Sequence, residues 1–182
     1  MKKRRFDSLE SKVIQELKKV EARGRYFPNR YAPWAKAILK TLAVLGRSMG
    51  CKVYTSKGNP KGDPDVGEWL YDQAWIRYDR NGYMKSVPLV LESEFGTNKV
   101  DRLNDFCKLI IARADHRVMV FGASDSTHAQ DIIDEFVKEI EHSRISRARD
   151  RFLFAALLES DGSFYFQNHG WSLGVRKPRG QI

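Results

Sequence analysis

The stretches WLYDQAWIRY (69–78) and VPLVLESEF (87–95) decide the fold. Both are apolar segments of strand length, and the short polar link between them carries Asn81-Gly82, a turn signal. They are expected to fold back on each other as an antiparallel pair. Both also carry acid where a buried strand tolerates it poorly: Asp72 in the first, Glu92 and Glu94 in the second. A carboxylate in such a place is costly unless positive charge meets it. Residues two apart on a strand share a face, so Glu92 and Glu94 point together and Ser93 points away. A turn near Asn81-Gly82 sets position 72 against 91 or 92, within reach of Glu92.

Working outward, CKVYT (51–55) reads as a short strand, and the Gly/Pro-rich SKGNPKGDPDVG (56–67) as irregular. A mostly apolar helix is expected from Pro33, a favourable first-turn residue, to about Met49, with Gly50 as its stop. Before it lies an amphipathic helix over 7–22, capped by Asp7 or Ser8, with Leu9, Val13, Leu17 and Val20 at helical spacing. Downstream, the periodicity predicts a helix from Val100 to Ala114 and then the compact apolar strand RVMVF (117–121), of the parallel-sheet type. A helix over 127–142 is begun by Ser126 or Thr127. FLFAALL (152–158) and SFYFQN (163–168) flank Asp161-Gly162, which reads as a two-residue hairpin turn. The expected fold class is α/β, a mixed sheet flanked by helices within a single domain spanning 1–182. Its core is residues 33–121, with the N-terminal helix before it and a C-terminal extension (127–175) of a helix plus a β-hairpin.

The 182-residue chain carries a formal charge of +9, with 32 Lys and Arg against 23 Asp and Glu. A surplus of this size favours polyanions such as nucleic acid. The basic residues cluster: Lys2 to Arg5, then Arg144, Arg147, Arg149 and Arg151, then Arg176, Lys177 and Arg179. Arg30, Lys57 and Lys61 surround the irregular loop and are candidates, with Arg176 and Lys177, for phosphate contacts. Cys51 and Cys107 are too few for a disulfide framework, so a cytoplasmic setting is expected. No apolar run reaches the roughly 18–20 residues that span a bilayer, and no apolar stretch follows the basic N-terminus as in a signal peptide.

Three carboxylates brought together in a basic protein point to a divalent metal, magnesium or manganese, and to phosphodiester chemistry. Two or three protein oxygens, completed by water and phosphate, meet the needs of magnesium. The ion polarises a scissile phosphate and lowers the pKa of a bound water, and a nearby lysine offsets transition-state charge. Lys99 and Lys108 are the nearest candidates. Lys108 shares a polar stripe with Asp101 and Asp105 and is preferred. A simpler reading has Glu92 and Glu94 facing solvent and Lys108 merely paired with Asp105, three residues back.

The order helix, three strands, helix, strand over 33–121, with an Asp in the second strand and E-x-E ending the third, resembles the PD-(D/E)XK nuclease superfamily. The resemblance implies a restriction-endonuclease-like fold and magnesium-dependent cleavage of DNA, with Asp72 and Glu92 as metal ligands. The family's third motif position is usually lysine; here it is Glu94. Some members carry acid there and others relocate the charged residue to the following helix, where Lys108 lies. Asp65, in the literal Pro64-Asp65, is a distant second to Asp72. The wording LESEFG…DFCKLIIARADHRVMVF is also similar to an uncharacterised bacterial branch of that superfamily. A homodimer is an expected assembly. The competing expectation is a catalytically inactive nucleic-acid-binding or protein-interaction module on the same fold.

Other chemistries lack their signatures. The four histidines show no zinc-ligand spacing and read as surface or capping residues. GASDS (122–126) lacks the G-x-S-x-G elbow, and neither a P-loop nor G-x-G-x-x-G is present.

Overall fold

In the computed structural model the residues described are 6–24, 31–55, 69–147 and 149–170. Two helices, α1 (Ser8–Gly24) and α2 (Tyr31–Ser48), precede three strands, β1 (Lys52–Thr55), β2 (Gln73–Tyr78) and β3 (Met84–Glu94). The helices α3 (Lys99–Ile111) and α4 (Ser126–His142) then alternate with β4 (His116–Ala123) and β5 (Arg151–Leu158), and β6 (Phe164–Gly170) follows. The class expected from the sequence, a mixed α/β arrangement, is observed.

The described strands form a single six-stranded sheet in chain order, β1-β2-β3-β4-β5-β6. β1, β2 and β3 run antiparallel as a meander, β3, β4 and β5 run parallel, and β6 returns antiparallel to β5. The parallel pairs require crossovers, which α3 and α4 supply. Alternation along the central strands divides the core in two. Leu89, Leu91, Val118, Val120 and Leu153 face α1 and α2, whereas Val90, Met119, Phe121, Phe152 and Phe154 face α3 and α4. The second face is filled by aromatic rings, with Phe106 and Phe136 stacked at 4.2 Å.

Several boundaries differ from expectation. β2 begins at Gln73 rather than Trp69, because Leu70 adopts a positive φ of 65° and breaks the extended run. Asp72 therefore sits immediately ahead of the strand. α2 starts at Tyr31, two residues before its expected start. α3 ends at Ile111, not Ala114, where Ala112 turns to an extended ψ of 137°. The cap of α4 is Asp125 rather than Ser126 or Thr127; its carboxylate accepts from the Thr127 and His128 amides. The β5–β6 link is wider than a two-residue turn: the Leu158 amide donates to the Ser163 carbonyl at 2.8 Å, across Glu159–Gly162. Asp7 caps α1 as expected, accepting from the Leu9 and Glu10 amides at 2.9 Å each.

Candidate acidic site

The β2–β3 ladder pairs Gln73 with Leu91. Continuing that register by one residue brings Asp72 level with Glu92. Asp72 is half-buried, and its Oδ2 accepts from the Ser93 amide at 2.9 Å and the Ser93 hydroxyl at 2.6 Å. Glu92 lies on the same side of β3 as Val90, toward α3 and α4, and is only 3% exposed. Its Oε1 is buried without a hydrogen-bond partner. The nearest cation is Lys108 of α3, whose Nζ stands 3.5 Å from Glu92 Oε1 and 2.7 Å from Asp105 Oδ1. The longer separation is an ion pair without a hydrogen bond.

These surroundings fix the electrostatics. Burial, and then the neighbouring Asp72 charge, push the Glu92 carboxyl up to about 8, with Lys108 opposing only in part. Tyr71, beside it, is also raised, by burial and by the Glu92 charge. Lys108 is raised in turn, chiefly by its hydrogen bond to Asp105. A buried acid beside a second acid, with a lysine it shares with Asp105, is a site that a further cation would stabilise.

Glu94 is turned elsewhere. Its Oε1 accepts a short hydrogen bond from the Gly96 amide. Thus Glu92 and Lys108 come together, with Asp72 near enough for its charge to act on Glu92 but its Oδ2 held by Ser93, whereas Glu94 is engaged by the loop that leads into α3. Asp72, Glu92 and Glu94 do not, as their side chains stand, form a three-ligand cluster. Lys99, the alternative lysine, pairs with Glu135 of α4 at 2.6 Å.

Among the described residues, the group of three with ligand atoms all within 4.8 Å of one another is Asp7, Glu10 and His116. Sequence reasoning missed it, and His116 is correspondingly not a surface or capping histidine. Its Nε2 lies 2.7 Å from Asp7 Oδ2, with the side chain 15% exposed. The signal was present in part. Asp7-x-x-Glu10 is a capping-box pattern, and Glu10 Oε2 accepts from the Asp7 amide at 3.0 Å. Arg151 closes the cluster: its Nη2 is 2.7 Å from Glu10 Oε2 and its Nε is 3.0 Å from Asp7 Oδ2. Asn168 adds a bond to Glu10 at 3.1 Å. The carboxylate oxygens are thus already supplied with donors and the positive charge is a guanidinium. The cluster ties the start of α1 to the starts of β4 and β5 and does not fit a cation site.

The proposed phosphate contacts Arg30, Lys57, Lys61, Arg176 and Lys177 lie outside the described residues. Of the internal basic block, Arg144, Arg147 and Arg149 are exposed, while Arg151 is spent on Asp7 and Glu10. No helix among the described residues is long and apolar enough to cross a membrane. Compared with known proteins, the chain matches no family model, no curated protein and no solved structure.

Proposed function

We propose that this protein is a magnesium- or manganese-dependent endonuclease of restriction-endonuclease-like architecture that hydrolyses DNA phosphodiester bonds. The observation that carries the reading is Glu92: a carboxyl 3% exposed, level with Asp72, whose Oε1 has no hydrogen bond and only a 3.5 Å ion pair to a lysine from the following helix. A structural carboxylate at such a depth would normally be hydrogen-bonded. The run α2-β1-β2-β3-α3-β4, with acids at 72 and 92, supports the same reading.

In this proposal Asp72 and Glu92 hold the ion, and Glu94 joins them only by releasing the Gly96 amide. The ion would supply Lewis-acid charge to a scissile phosphate. Lys108, already drawn toward both Asp105 and Glu92, offsets negative charge that builds on the phosphate oxygens. One observation favours a second reading, a nucleic-acid-binding module without turnover: the motif's lysine position is occupied by Glu94, and that carboxylate is engaged with the backbone.

Plasmid nicking separates the two. The nuclease nicks supercoiled DNA with magnesium or manganese, stops in EDTA, and loses roughly 100-fold or more of its rate on Glu92→Gln. Retarded but intact DNA under every metal condition would leave the binding module standing and remove the nuclease.

A further inference from the structure

A cleft of about 840 Å³ lies at the opposite ends of the parallel strands from Glu94, where α3 finishes, β4 and β5 begin, and the segment after α4 passes over them. Its rim carries Lys85, Arg113, Arg147 and Arg149, all exposed and none ion-paired with another described residue, together with the exposed Ile111 and Ile145. Against these four cations stands one exposed carboxylate, Asp115. The other acid of the lining, Asp150, is already committed. It bridges Arg117 Nη2 at 3.0 Å and the Arg147 amide at 2.7 Å.

A helix end of this kind ordinarily repels anions, because the last carbonyls of α3 carry the negative end of its dipole. Arg117 removes that obstacle. Its Nε donates to the Leu109 carbonyl at 3.0 Å and its Nη2 to the Ala112 carbonyl at 2.6 Å, so the helix end is covered by a guanidinium. Arg117 itself is 3% exposed, and its Nη1 is buried with no hydrogen-bond partner. Arg117 and Asp150 together are neutral, so the net positive charge of the cleft is that of its rim, whose four cations have no ion-pair partner among the described residues. Like charges gathered without counter-ions repel one another, and a polyanion relieves that repulsion.

We propose that this cleft binds the phosphate backbone of a nucleic acid, the rim arginines and Lys85 contacting phosphates while Ile111 and Ile145 lie against sugar or base faces. The inference does not depend on the metal-site reading, and its test is run in EDTA so that cleavage plays no part. The full chain is titrated into fluorescent single- and double-stranded DNA, and anisotropy is followed over a range of salt. The variant Lys85→Gln/Arg113→Gln/Arg147→Gln/Arg149→Gln is compared with Lys12→Gln/Lys18→Gln/Lys36→Gln/Lys40→Gln, which removes the same charge from α1 and α2.

The cleft variant is expected to bind at least about tenfold more weakly, with a salt slope on duplex reduced by about one for each phosphate it no longer neutralises. The control is expected to change by less than about threefold. Hydrogen exchange on the unsubstituted protein gives a second reading, since bound DNA should slow exchange over 110–117 and 144–151. Equal losses in both variants, unchanged binding by the cleft variant, or no protection of these segments would overturn the proposal. So would displacement by polyglutamate as readily as by unlabelled DNA, which would mark an acidic-protein surface instead.

Discussion

At the scale of single residues, Glu92 couples the buried sheet to pH. Its carboxyl is raised to about 8 from an ordinary 4.5, so between these values the folded chain holds a proton that the unfolded chain has released. The folded state binds more protons there, and stability falls as pH rises from about 4.5 toward 8, then levels off. The span is on the order of a few kcal/mol. Without divalent ions, melting temperatures recorded across that window should decline for the wild type and stay nearly flat for Glu92→Gln. A parallel decline in the variant would assign the effect to other groups. This pairing of Glu92 with position 72 was legible in the sequence, because strand alternation and one turn signal suffice to place both acids. The fate of Glu94 was not, since its carboxylate takes a local partner, the Gly96 amide two residues on, that no periodicity reveals. The Asp7–His116 contact was equally hidden: the two residues are 109 apart in sequence and meet only once the helices have docked.

At the scale of elements, the helices and strands were readable because each carries its own pattern, but their ends were set by neighbours. α3 stops at Ile111 where Arg117 of β4 claims the Leu109 and Ala112 carbonyls, an event outside the helix's own sequence. The seating of α2 on the sheet depends on a similarly remote fit. Gly46 is buried in that helix, where alanine would ordinarily gain up to about 1 kcal/mol of helix propensity. A Cβ there would stand 2.7 Å from Trp75 Cε2 and 2.8 Å from Val53 Cγ2. Trp75 cannot easily yield: it is fully buried, its Nε1 donates to Gln73 Oε1 at 2.9 Å, and Gln73 Nε2 donates to the Leu39 carbonyl of α2 at 2.8 Å. Overpacking costs about 1–3 kcal/mol and should outweigh the propensity gain. Gly46→Ala is expected to lower the urea midpoint with an unchanged m-value. A midpoint equal to or above that of wild type would show that the α2–sheet contact is looser than these distances require.

At the scale of the whole molecule, the two hydrophobic cores are separate in composition but share their walls. β3, β4 and β5 send alternate side chains to each: Leu89 and Leu91 against Val90, Val118 and Val120 against Met119 and Phe121, Leu153 against Phe152 and Phe154. A strand cannot give up its ladder on one face and keep it on the other, so damage to either core should be felt by both. Phe136 of α4 tests this directly, being fully buried and in ring contact with Phe106, Phe121 and Phe154. Phe136→Ala should cost about 3–5 kcal/mol. Trp34 and Trp75, two of the four tryptophans, sit in the opposite core, packed with α1 and α2, and a chain carrying Trp69→Phe and Trp171→Phe reports that face alone. If the described sheet unfolds as one unit, denaturation followed by tryptophan fluorescence and by far-ultraviolet circular dichroism should shift to the same lower midpoint in the variant. A fluorescence transition left at the wild-type midpoint while the dichroism moved would mean that α3 and α4 melt from a sheet still held by α1 and α2.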